Sequence, residues 1–195
     1  MNAIHWIMES SETEPPNDFY CPTRDVGQAR VEKLVSELIH QDWSEGEAGL
    51  LSAIIGEIVG NCFDHNLGQW RDIPGCWLET NTNKTEFSAI VADRGQGVFN
   101  SLKRALPDLQ NDQEALRVAF TQKISGRAPE QRGNGLKFII HSLNYFNGVT
   151  LQYVSGLAML SVENQKDLQN ISHCIKEADS EMRGTYVYLV VKKTV

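Results

Sequence analysis

Long apolar runs are missing from this chain: nothing approaches the roughly 18 consecutive apolar residues that a membrane-spanning helix requires. The amino terminus has no basic stretch followed by an apolar one, and Glu9, Glu12 and Glu14 follow close behind, so no membrane is expected and a cytoplasmic location is. Cysteine is scarce. Cys21, Cys62, Cys76 and Cys174 form no CxxC pair and no Cys/His group at zinc spacing, which predicts four reduced thiols rather than a disulfide frame or a structural metal site. A basic excess is absent as well, and the net charge of −7 argues against a nucleic-acid partner. Neither GxxxxGKS nor GxGxxG occurs, which removes the P-loop and dinucleotide-binding fingerprints. Internal repeats and low-complexity tracts are also lacking.

What remains is ordinary globular material, with 41% hydrophobic and 22% charged residues, consistent with one domain over residues 1–195. The charge is unevenly spread. Between Arg94 and Lys137 eight basic residues face four acidic ones, and this basic middle contains glycines. That combination suits a small anionic ligand better than a polyanion.

The segment from Leu50 to Asn66 organises the rest. At helical spacing Leu50, Leu51, Ile54, Ile55, Ile58, Val59, Cys62 and Phe63 fill one arc, while Glu57, Asn61 and Asp64 share an edge just outside it. Gly56 and Gly60 lie on the remaining side, each costing about 1 kcal/mol relative to alanine, so close approach of backbone or ligand is expected there. Taken alone, the helix also reads as a core helix with a solvated polar edge.

Around it the chain divides readily. Residues 1–25 hold a short apolar run, Ile4 to Met8, read as an edge strand, then a loop. Asp25 is a candidate N-cap for a helix to about Gln41, and Ser44 with Glu47 has capping-box spacing ahead of the Leu50 helix. CWLETNTN and KTEFSAIVADRG read as two strands joined by a turn at 81–83. Short helices are expected at Phe99–Ala105 and Asp112–Phe120, followed by a polar, basic stretch read as a mobile lid. A helix opens at Gly135, and three strands follow, VTLQYVS, LAMLSVEN and GTYVYLVVKK, with 165–183 unassigned between the last two. Strands connected this tightly cannot carry right-handed crossovers. The expected fold is a two-layer α/β sandwich: a mixed, mostly antiparallel sheet covered on one face by the three long helices.

Two glycine-bearing segments carry the chemistry. Asp93, Gly95 and Gly97 sit at a strand end, where glycine permits backbone angles and approaches that a side chain would block; a simple strand-end turn has the same residues. Gly133, Asn134, Gly135 and Leu136 enter a helix, whose first N–H groups attract anions, with Arg132 and Lys137 flanking.

These stretches, in this order, resemble the ATP-binding domain of the GHKL superfamily, named after gyrase, a heat-shock chaperone, histidine kinases and the MutL mismatch-repair protein. The motif-bearing part runs over about 50–191, and the resemblance implies a Bergerat-type fold, an ATP lid over 98–132, and ATP with magnesium as cofactors. It implies that Asp93 accepts the adenine amino group, that Gly95 and Gly97 shape the pocket, and that Gly133, Asn134, Gly135, Leu136 and Arg132 close over the triphosphate. Asn61 would hold the magnesium ion, with Asp64 extending the match. Ala119 to Lys123 resembles the FTxK element before the lid, so Lys123 or Arg127 would reach phosphate, and Gly184-Thr185 resembles the segment whose Thr serves the adenine site. Glu57 matches the catalytic glutamate of gyrase-like ATPases and of anti-sigma-factor serine kinases, where a carboxylate activates water or a hydroxyl. His65 is read as a packed structural histidine. The expectation is a regulatory serine/threonine kinase of the anti-sigma-factor type acting on a protein partner. An ATP-hydrolysing switch, a histidine kinase-type domain acting in trans, a nucleotide-holding module and a homodimer all stay open.

Overall fold

The helix that the sequence centres on begins earlier than its apolar arc. In the computed structural model, which describes residues 1–122 and 135–193, this α3 runs Glu45–Asp64 from the predicted capping box: Ser44 Oγ accepts from the Glu47 N–H, and Glu47 accepts from the Ser44 N–H. Leu51, Ile54, Ile55, Ile58, Val59, Cys62 and Phe63 are all buried, as the arc requires. Each such aliphatic side chain contributes roughly 1.5–3 kcal/mol by leaving water.

The preceding helix α2, Arg24–His40, is capped by Thr23 rather than by Asp25. It packs along the glycine side of α3. A Cβ on Gly27 of α2 would lie 2.8 Å from Val59, and one on Gly56 would meet Val31 at 3.5 Å, so the close approach expected at Gly56 is helix against helix, while Gly60 faces the end of the Arg24 side chain at 3.8 Å. Trp43 ties the α2–α3 corner to the sheet by donating from its indole N–H to the Asn83 carbonyl at 2.7 Å.

The sheet has five strands in the order β1-β2-β3-β5-β4, all neighbouring pairs antiparallel: β1 (Tyr20–Cys21), β2 (Cys76–Thr82), β3 (Glu86–Asp93), β4 (Gly148–Val162) and β5 (Ile175–Lys192). No parallel pair is present among the described residues, where a mixed sheet was expected. Two strands expected at 149–164 are one, because a bulge at Ser155 and Gly156, the latter at φ +60°, bends β4 without ending it. The stretch 165–183 contributes two 3₁₀ turns, Asp167–Gln169 and Ile171–Cys174, and then the first half of β5.

Period-two alternation splits the strands cleanly. Leu78, Phe87, Ala89, Val91, Leu151, Tyr153, Val187 and Leu189 face the helix layer of α2, α3, α5 (Asp112–Thr121) and α6 (Gly135–Leu143). The opposite face is partly covered by α1, Ala3–Met8, whose Ala3, Trp6 and Ile7 pack on Trp77, Ala92, Val154 and Tyr186. The edge strand expected there is therefore a helix. Asn2 caps it by accepting from the His5 N–H at 2.8 Å, and the three buried residues lie at helical spacing, a pattern too short to be told from a strand by periodicity. Of the lid region 98–132, the first part forms α4 (Gly97–Lys103) and α5, which share a small core of Leu109, Ala115 and Val118; residues 123–132 lie outside those described. Among the described residues no helix is long and apolar enough to cross a membrane, and all four cysteines are free.

Candidate functional site

Asp93 ends β3 on the helix-facing side and is only 2% exposed. A buried carboxylate needs donors, and its Oδ1 has two: the Gly95 N–H and Asn66 Nδ2, both at 2.8 Å. The Cys62 thiol and Thr185 hydroxyl lie beside it and also favour its charged form. Burial raises its pKa; the Gly95 N–H, Cys62, Asn66 and Thr185 pull it back, and it settles at about 6. Thr185 stands directly across from Asp93 in the β3–β5 register, near the buried Tyr153.

Asn66 is the functional residue the sequence reading missed. It is 4% exposed, donates to the Cys62 carbonyl at 3.0 Å and to Asp93, and accepts from the Gln96 N–H at 3.1 Å. The signal was available: four residues after Cys62, it continues the apolar arc of α3, where an amide must find buried partners. Gly95 exists to admit it, since a Cβ there would overlap the Asn66 carboxamide. Asn66 is short and held by three bonds, so Gly95→Ala is expected to lower stability by about 2–3 kcal/mol, read from urea denaturation; an unchanged midpoint would mean that Asn66 has room to swing.

The second glycine has a different reason. Gly97 adopts φ +74°, and its missing side chain leaves space for Ser155 Oγ, which accepts from the Val98 N–H at 2.9 Å and donates to the Gly184 carbonyl at 3.0 Å. Gly184, at φ +96°, lies against the Asp93 carbonyl, so the Gly184-Thr185 pair closes the same corner.

Further back along α3 stand Asn61, half-buried, and Glu57, exposed. A Cβ on Gly135 would overlap the Glu57 carboxylate, so Glu57 reaches the first residue of α6, with Leu136 packing on the core behind it. Asp64 is instead the partner of Arg24 on α2, whose guanidinium meets both carboxylate oxygens. His65 is exposed rather than packed: its Nδ1 meets Ser101 Oγ on α4 at 2.9 Å, and its carbonyl accepts from the Gln96 side chain. Arg94, counted with the basic middle, is 1% exposed and paired with Asp72 at 2.6 Å, so it is not available to an anion. Lys123, Arg127, Arg132, Gly133 and Asn134 lie outside the described residues.

A cleft of about 480 Å³ lined by Gln69, Gln96, Asn100, Lys103 and Arg104 opens beside the Gly95–Gly97 turn, and one of about 300 Å³ lies between α2 and β2. Neither includes Asp93, Asn61 or Glu57. Among the described residues no group of three or more His, Cys, Asp or Glu could hold a metal ion.

No family model matches the chain, and no curated protein sequence matches it. The site's chemistry lies along the C-terminal half of α3, with a buried acceptor carboxylate, Asp93, at the helix end and an exposed one, Glu57, two turns earlier beside the start of α6. About nine residues separate Glu57 from Asn66, roughly 13 Å along the helix axis.

Proposed function

We propose that this protein binds Mg-ATP along α3 in a GHKL-type site and acts as a regulatory serine/threonine protein kinase of the anti-sigma-factor type. The observation that carries the reading is that three segments distant in sequence meet along the C-terminal half of α3: Asp93 with Gly95 at Asn66, Thr185 beside Asp93, and Gly135 at Glu57. The reading places the base at Asp93 and the terminal phosphate at Gly135.

The residues present fit such a ligand. A carboxylate has about four lone-pair sites, and both donors of Asp93 sit on Oδ1. A nucleobase amino group would take Oδ2, beside the Thr185 hydroxyl. Asn61 offers a half-exposed amide oxygen, a hard ligand suited to magnesium alongside phosphate oxygens and water. The start of α6 supplies helix N–H groups for phosphate. Bound ATP brings the transferable phosphoryl group. Glu57, exposed at that end, accepts the proton of a partner's Ser or Thr hydroxyl and aims its oxygen.

An exposed carboxylate serves water as readily as a hydroxyl, so an ATP-hydrolysing switch is the second reading; ADP formed without any partner would favour it. Phosphate transfer to a purified partner's Ser or Thr supports the first. Asn61→Ala is expected to leave metal-free ATP binding within about threefold and to abolish the gain from magnesium, about tenfold or more. Titrations with and without the metal check this, and an undiminished magnesium gain would remove Asn61 from the metal site.

A further inference from the structure

Arg94 is a buried charge with no part in the chemistry above. Strand alternation turns Asp93 toward the helices, and Arg94 follows it onto the opposite side, where its guanidinium is 1% exposed. Such a group is held only if its donors are used and its charge is met. It pairs with Asp72 at 2.6 Å, donates to the Glu9 carbonyl at 2.6 Å and to the Ser11 carbonyl at 3.0 Å, and lies 5.7 Å from the centre of the Trp6 ring. Trp6, fully buried, in turn donates to the Thr13 carbonyl at 2.9 Å. Glu9, Ser11 and Thr13 lie in the segment that follows α1. One side chain thus fastens the amino-terminal segment to the end of β3.

The same residue closes a ring of bonds around the base end of the site. Asn66 bonds to Asp93, and its carbonyl accepts from the Gln69 N–H at 2.6 Å as the next loop begins. Two residues on, the Arg71 N–H donates to the Arg94 carbonyl at 3.1 Å, and Asp72 meets the Arg94 guanidinium. Asn66, the 67–72 loop, Arg94 and Asp93 therefore hold one another. The free side of this ring, away from the helices, is the Arg94 contact with residues 9–11. An apolar side chain could fill the space beneath Trp6, but it would not fix both a carboxylate and two carbonyls in one plane, as the guanidinium fork does.

We infer that Arg94 is a positioning residue for nucleobase recognition, and that through it the amino-terminal segment 1–13 is energetically coupled to the nucleotide site. The inference rests on the nucleotide reading above. Docking of α1 holds the Asp93–Gly95 turn in its receptive geometry; linkage then requires nucleotide to tighten α1 by the factor that α1 tightens nucleotide. A partner that lifted α1 off the sheet would release nucleotide without touching the pocket.

Amide hydrogen exchange of the full chain, with and without saturating Mg-ATP, tests this. The Trp6 and Glu9 amides, bonded to the Asn2 and His5 carbonyls, are expected to exchange about fivefold or more slowly with nucleotide, while that of His173, in a 3₁₀ turn remote from Arg94 in sequence, does not change. In Arg94→Lys the slowing disappears and ATP affinity falls by about tenfold. Trp6→Ala, which leaves the Arg94 side chain intact, is expected to weaken ATP in the same direction and decides the matter should Arg94→Lys fail to fold. Binding with no change at α1, or with equal slowing at His173, overturns the coupling and leaves the nucleotide reading standing. Absence of binding in the parent overturns both.

Discussion

Glu57→Gln is expected to lower phosphate transfer to a protein hydroxyl, and any ADP formation, by roughly 10²–10⁴-fold while ATP affinity stays within about threefold. The amide keeps the shape of the side chain beside Gly135 and removes its capacity to take a proton. A rival role for the same carboxylate is structural, since an acidic group at the start of a helix contributes roughly 0.3–1 kcal/mol. The two separate readily: a helix-start role predicts lost stability with turnover intact, and the catalytic role predicts the reverse. Single-turnover measurement with labelled ATP beside thermal unfolding of the same samples distinguishes them.

Asp93→Asn is expected to weaken ATP by roughly 2–3 kcal/mol, which is roughly 30- to 150-fold in Kd. Asparagine places a donor where the base amino group needs an acceptor, yet keeps an oxygen for Gly95 and Asn66. Its effect on stability has a different sign and depends on pH. The folded pKa of about 6 lies above the ordinary 3.8 because burial disfavours the charge. The contribution of Asp93 to stability is therefore complete below the unfolded value and is lost as pH rises through about 6. Asparagine does not titrate, so the stability of Asp93→Asn relative to the parent should climb by about 3 kcal/mol between pH 3.5 and 7. Nucleotide affinity of the parent runs the other way, rising from pH 5 to 7 as the acceptor ionises. A pH-independent stability difference would show that Asp93 is not the buried titrating group.

Much of this was legible in the residues. The apolar arc of α3, its capping box and the β2–β3 hairpin follow from local periodicity and turn chemistry, and the structure reproduces them. Legibility failed where a short pattern fits two elements or where a glycine has two meanings. Ile4 to Met8 is too brief to tell strand from helix without the sheet face it lies on, and Gly156 reads as a strand end although it bends β4 at a bulge. The site residues missed were those whose work is done by long-range partners. Asn66 and Ser155 are ordinary polar residues until Gly95 and Gly97 are seen to make room for them, and Arg94 looks like a surface cation until Glu9, Ser11 and Asp72 surround it. Asp64 shows the same limit: helical spacing places it on the edge of Glu57 and Asn61, and only the fold brings Arg24 of α2 to it.

The most direct test is calorimetric titration of the parent with Mg-ATP, run beside Asp93→Asn at pH 7.5. One-site binding by the parent, with affinity lost in Asp93→Asn while that variant remains folded, is the predicted result. A folded parent that takes up no nucleotide would contradict the account.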